Sequence, residues 1–99
     1  KISMIAHSCC PTAAFDFRSD NTMTIRALKD LAVGEEVTVS YIAACVLIKS
    51  TEGRRDTLRA SWNFECNCAR CSWPLDLCRG FRCVDPACPG ICFTLVKGC

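Results

Sequence analysis

Apolar and polar positions alternate along the first half of the chain. In "TMTIRAL" Met23, Ile25 and Ala27 alternate with Thr24 and Arg26, and in "EEVTVSYI" Val37, Val39 and Tyr41 fall on one face. A period of two marks a half-buried strand, because successive side chains point to opposite faces. Together with "AAFDF", these stretches predict a meander of three short strands between residues 13 and 42. The connecting "RSDNT" and "LAVGEE" carry the Asp, Asn and Gly that tight turns use.

Past "YIAACVLIKS" the period lengthens. Leu58 and Trp62 lie one helical turn apart, and Thr51 offers a capping hydroxyl, so a helix is predicted through "EGRRDTLRASW" with Arg54, Arg55 and Arg59 on its wetter side. From Cys66 onward Cys, Pro and Gly dominate and no period survives. Order in that stretch is expected from cross-links or a metal rather than from burial. The longest apolar run, residues 41 to 48, is far shorter than the roughly 18 residues that cross a bilayer, so no membrane partner is expected.

Composition sharpens this picture at one point. Of 99 residues 51% are hydrophobic and 22% charged, which describes a globular chain with a small core. The 11 cysteines stand out, since so many in a short chain mean either a disulfide scaffold or metal sites. The count is odd and the residues from Lys1 onward do not read as a signal peptide. The expectation is therefore a reducing, intracellular setting (nucleus and/or cytoplasm), in which metal is favoured over disulfides. The first residue, Lys1, and the ending at Cys99 read as the limits of a piece of a longer protein.

Cys66-x-Cys68-x-x-Cys71 is compact enough for turns to aim three thiolates at one point, and zinc takes four such ligands at about 2.3 Å. The fourth must come from elsewhere, and "HSCCP" offers Cys9 and Cys10. Further on, Cys83, Cys88, Cys92 and Cys99, with Cys78 ahead of them, have the spacing of part of a second zinc knuckle.

Three blocks, "AHSCCP", "IRALKDLAVGEEVTVSYI" and "RRDTLRASWNFECNCARC", in that order, resemble the C-terminal half of a SET domain with its post-SET cysteine motif, most closely of the SMYD (SET and MYND) type. The family patterns are Asn-His-Ser-Cys-x-Pro-Asn, Gly-Glu-Glu before a strand ending Ser-Tyr, and Phe-x-Cys-x-Cys-x-x-Cys. The resemblance implies a mostly β fold with small α content. It divides the chain into half of a SET domain over 1–45, built as a β-meander and pseudoknot, a post-SET helix and zinc loop over 46–73, and a Cys-rich extension over 74–99. It also implies that Cys9 joins Cys66, Cys68 and Cys71 on zinc, with Cys10 a bystander.

SET domains are protein-lysine methyltransferases that use S-adenosylmethionine. The resemblance implies Tyr41 as the catalytic residue, Ala6, His7 and Ser8 against the cofactor, and a protein substrate, a histone or another protein, presenting a lysine. The first half of such a domain lies outside these residues, so the 99 residues alone are expected to be inactive. Two positions depart from the pattern: Ala6 and Thr12 stand where the family has Asn. An alanine side chain makes no hydrogen bond, and the alternative expectation is a SET-like interaction module that keeps fold and zinc without the chemistry.

A nucleic-acid binder is the remaining alternative, with Arg70, Arg79, Arg82 and Lys97 interleaved with Trp73 and Phe81. Against direct nucleic-acid binding stands the charge balance: five basic and five acidic residues in 1–50, seven and five in 51–99, net +2. The acids Asp76 and Asp85 sit inside the same stretch.

Overall fold

The structure, a computed structural model, describes residues 4–96. Its elements in chain order are strands β1 (Ala6–His7), β2 (Ala13–Phe17), β3 (Met23–Ala27) and β4 (Thr38–Val39), helices α1 (Ala44–Leu47), α2 (Thr51–Trp62) and α3 (Ala69–Ser72), and strands β5 (Leu75–Arg82) and β6 (Ile91–Leu95). The fold is mostly β with short helices, followed by a Cys-rich region.

The alternating pattern at residues 13–27 makes the hairpin expected of it. β2 and β3 pair antiparallel with Phe15 opposite Ile25. The turn between them is closed by Asp20, whose carboxylate accepts from the Thr22 amide at 3.0 Å, and by Asn21 in the left-handed region at φ 64°. The third predicted strand departs from a meander. β4 is only Thr38–Val39, and it pairs in parallel with β1 across the chain rather than extending the hairpin. Thr12 explains the change of partner: its hydroxyl accepts from the Thr38 amide at 2.9 Å and donates to the Glu36 carbonyl at 3.2 Å, which draws residues 36–38 beside the β1–β2 link.

Helix α2 begins one residue earlier in its cap than the sequence suggests. Ser50 is the N-cap and its hydroxyl accepts from the Gly53 amide at 3.1 Å, while Thr51 is already helical and buried. A second acceptor comes from far away: Asp76 Oδ2 takes the Thr51 amide at 3.1 Å. Asn63, left-handed at φ 59°, ends the helix with its amide bonded to the Arg59 carbonyl.

The stretch after Cys71, which shows no period in the sequence, forms a hairpin all the same. β5 and β6 pair antiparallel from Leu75 opposite Leu95 to Arg82 opposite Ile91, with an irregularity between Asp76 and Gly80. Most of its side chains are exposed, so no alternation was imposed on the sequence. The hairpin extends the molecule, whose radius of gyration is 16.4 Å against about 13 Å for a compact chain of this length.

The core is small. Cys9, Ile42, Leu58, Cys66 and Cys71 form its buried cluster, with Tyr41, Val46, Leu47, Phe64 and Cys68 packed against it. Three of the five buried members are thiols.

Candidate functional site: a four-cysteine centre beside Tyr41

Cys9, Cys66, Cys68 and Cys71 meet in that core, their four sulfurs all within 4.8 Å of one another. Cys9 arrives from the end of β1, held where the Ser8 amide bonds to the Val39 carbonyl at 3.0 Å. Cys66 and Cys68 lie on the loop entering α3 and Cys71 lies within that helix, where Cys68 is the N-cap and accepts the Ser72 amide at its carbonyl. All ten cysteines among the described residues are free thiols.

The spacing suits a tetrahedral metal. Four sulfurs about 2.3 Å from one ion sit about 3.8 Å apart. Here Cys9 and Cys66 are separated by 3.9 Å, and Cys9 and Cys71 by 3.6 Å. The cluster can therefore hold a metal ion with little movement. Among the described residues no second group of three ligands comes as close. Of the cysteines expected in a second site, Cys78 lies 2.8 Å from the Arg70 guanidinium, the Cys83 thiol is held below its ordinary range by the Asp85 backbone and by the thiols of Cys88 and Cys92 that face it, and Cys99 is outside the described residues.

Arginines hold the loop from three sides. Arg55 reaches the carbonyls of Cys66 and Cys71 at 2.9 and 3.2 Å. Arg70 reaches those of Cys9 and Leu47 at 3.0 and 2.7 Å, so its charge is used inside the molecule and not offered to a phosphate backbone. Arg54, expected on the wet side of α2, is only 1% exposed. Its guanidinium donates to the Lys49 carbonyl at 2.8 Å, the Thr51 hydroxyl at 3.1 Å and the Cys71 sulfur at 3.5 Å. The signal for this was present: Arg54 stands four residues before Leu58, on the same helical face.

The thiols differ in acidity for local reasons. The hydrogen bond between the Cys71 and Cys9 thiols, with the Arg54 guanidinium, holds Cys71 well below the ordinary thiol range. The same contact with Cys71, with burial, pushes Cys9 up. Burial pushes Cys66 up to about 11. Arg54 keeps its proton despite burial because Cys71 and Cys9 face it.

Tyr41 is half-buried immediately beside this centre. Its hydroxyl donates to the Ile5 carbonyl, one residue before β1. Three rings surround it: His7 at 5.2 Å, Trp62 at 4.8 Å and Phe64 at 6.3 Å between centroids. Of the residues expected at a cofactor, Ala6 is exposed on β1, and the Ser8 hydroxyl accepts from the Cys10 amide at 3.1 Å. The ring of His7 is turned to Tyr41 and Cys9, and burial lowers its pKa. Trp62, Phe64 and the Ile5 carbonyl were not singled out for this site from the sequence. Trp62 was placed by its helical spacing, but its pairing with Tyr41 joins residues 21 apart in the chain and leaves no local signal.

Comparison with known proteins adds that residues 1–42, which carry β1 to β4, Cys9 and Tyr41, fit the family model described as SET domain. Residues 1–42 of the chain belong to the SET domain family. The chain is 39% identical over 70 residues to the histone-lysine N-methyltransferase SMYD3 of Homo sapiens, which covers 71% of this chain and 15% of that protein. It is 34% identical over 97 residues to the histone-lysine N-methyltransferase ASHR1 of Arabidopsis thaliana, covering 90% and 19%. It is 36% identical over 66 residues to the protein-lysine N-trimethyltransferase SMYD5 of Mus musculus, covering 66% and 16%. The chain thus spans under a fifth of the length of these relatives. The match to ASHR1 covers enough of the chain to take in much of the β5–β6 hairpin.

Proposed function

We propose that this chain forms the tyrosine-bearing, zinc-holding part of an S-adenosylmethionine-dependent protein-lysine methyltransferase. The observation that carries the reading is the Tyr41 hydroxyl against the Ile5 carbonyl, among aromatic rings and packed against a core of four cysteines. Names of the relatives support the reaction class and a protein substrate, a histone among them.

The donor set fits a cationic cofactor and a lysine. Hydroxyl and carbonyl oxygens are both acceptors, and the faces of Trp62 and Phe64 attract positive charge. S-adenosylmethionine, when bound, supplies a methyl group on a positively charged sulfur. The chain's own part is to prepare the attacking amine. A lysine ammonium, pKa near 10.4, has no lone pair, and it must enter a site poor in water before it yields its proton. Trp62, Phe64 and His7 exclude water around Tyr41. The Tyr41 hydroxyl then orients the neutral amine, with the Ile5 carbonyl fixing where that hydroxyl points. On this reading the main chain of Ala6 and Ser8 meets the cofactor, and Cys9, Cys66, Cys68 and Cys71 bind one zinc ion that fixes this core.

The test is transfer of a labelled methyl group from S-adenosylmethionine to protein by the full-length protein and its Tyr41→Phe variant. Transfer by the unmodified protein, reduced about a hundredfold in the variant, is the expected result. Equal transfer by both removes Tyr41 from the chemistry. No transfer and no cofactor binding by either leaves a zinc-stabilised interaction module, with Ala6→Asn the variant that restores binding.

A further inference from the structure

Both ring nitrogens of His7 are engaged, each with a different part of the site. Nδ1 lies 3.0 Å from the backbone nitrogen of Tyr41, and Nε2 lies 3.3 Å from Sγ of Cys9. A backbone N–H can only donate, so Nδ1 is the unprotonated nitrogen. The ring proton of the neutral imidazole is therefore on Nε2, aimed at the Cys9 sulfur.

The position matters because the β1–β4 ladder stops just short of Tyr41. Its last bond is the Ser8 amide to the Val39 carbonyl at 3.0 Å. Beyond it the Ser40 hydroxyl is taken up by the Ile42 carbonyl and amide, at 2.8 and 3.3 Å. The ring of His7 thus continues the ladder by one position, with a side-chain acceptor in place of a backbone carbonyl. It also packs against the Tyr41 ring, centroids 5.2 Å apart.

We propose that His7 is a positioning residue that couples the four-cysteine centre to Tyr41, and that its side chain is not a cofactor contact. A rigid five-membered ring joins a sulfur of the core to the main chain of the tyrosine, so a shift of Cys9 moves the Tyr41 hydroxyl with it. Outer hydrogen bonds of this kind orient metal ligands and tune their affinity. The inference rests on the reading of Tyr41 and the zinc site given above.

Two substitutions cut the two arms separately. His7→Asn keeps an acceptor about where Nδ1 lies and removes the donor to sulfur, whereas His7→Gln keeps a donor that reaches Cys9 and removes the acceptor for Tyr41. In the full-length protein, amide exchange at Tyr41 and transfer of zinc to a competing chelator are measured for both, with kcat and KM for S-adenosylmethionine alongside. His7→Gln is expected to expose the Tyr41 amide about tenfold and lower kcat while zinc is retained. His7→Asn is expected to keep that amide protected and release zinc about tenfold faster. Equal loss of both properties in the two variants makes His7 merely structural and overturns the proposal, as does a raised KM with kcat unchanged. If the unmodified protein transfers no methyl group but the exchange and zinc results still separate, the methyltransferase reading falls and the coupling stands.

Discussion

The guanidinium of Arg54, 1% exposed, donates to the sulfur of Cys71 at 3.5 Å. A charged helix residue thereby becomes the counter-ion of a buried thiolate. A buried charge is costly unless paired and hydrogen-bonded, and here the pairing partner is the candidate metal centre itself.

Arg54→Met removes the donor and leaves the Cys71 thiolate uncompensated in the core. The expected loss is about 3–5 kcal/mol of folding stability, because one member of a buried pair has been deleted. Chemical denaturation of the 99-residue chain loaded with zinc measures it. A loss within the scatter of a surface substitution, under about 0.5 kcal/mol, rejects the counter-ion role.

Zinc content discriminates among the cysteines. Cys68→Ser is expected to lower bound zinc from one ion per chain to well below one under reducing conditions, with loss of cooperative unfolding, since a small core of this kind depends on its metal. Cys10→Ser, at an exposed position whose amide bonds only to the Ser8 hydroxyl, is expected to keep the full ion. Mass spectrometry of the native protein reads both, and full zinc retention by Cys68→Ser discards the four-sulfur assignment.

Zinc uptake is expected to release protons. Metal-free Cys9 and Cys66 have pKa values raised above the thiol range and hold their protons at neutral pH, whereas Cys71 is already ionised. At least two protons must leave when the ion enters, so apparent affinity rises with pH and falls as the solution is acidified. Calorimetry in buffers of different ionisation enthalpy counts them. A release of fewer than two protons at pH 7 contradicts the acidity pattern.

Asp76 caps helix α2 from a strand 25 residues away, its carboxylate accepting from the buried Thr51 amide. Asp76→Ala is expected to cost about 1–2 kcal/mol, as helix N-caps do. The midpoint of denaturation shifts and its slope stays constant. An unchanged midpoint shows that Ser50 alone suffices as the cap.

The hairpin of β2 and β3 was legible because its alternation was strict and its turn carried Asp20 and Asn21. The cysteines were legible because metal ligands must recur at short, fixed spacing. Three things were not. Arg54 was read as wet because charge usually means solvent, and its helical phase, which points inward with Leu58, was outweighed. The third strand was read as a neighbour of β3, although its partner β1 is two residues long and leaves no periodic trace. β5 and β6 escaped because a sheet with exposed faces and an irregular register near Gly80 imposes no binary pattern.

Cys9 lies 57 residues before Cys66, while Cys66, Cys68 and Cys71 fall within one short loop and the helical turn after it. Closing the long ring costs about 2 kcal/mol more chain entropy than closing the short one. Assembly of the core therefore has an order: the loop gathers its three sulfurs first, and the strand bearing Cys9 is recruited last. Cys9 leaves the ribosome before any of its partners and waits for them, so the molecule completes its centre in the reverse of the direction in which it is made.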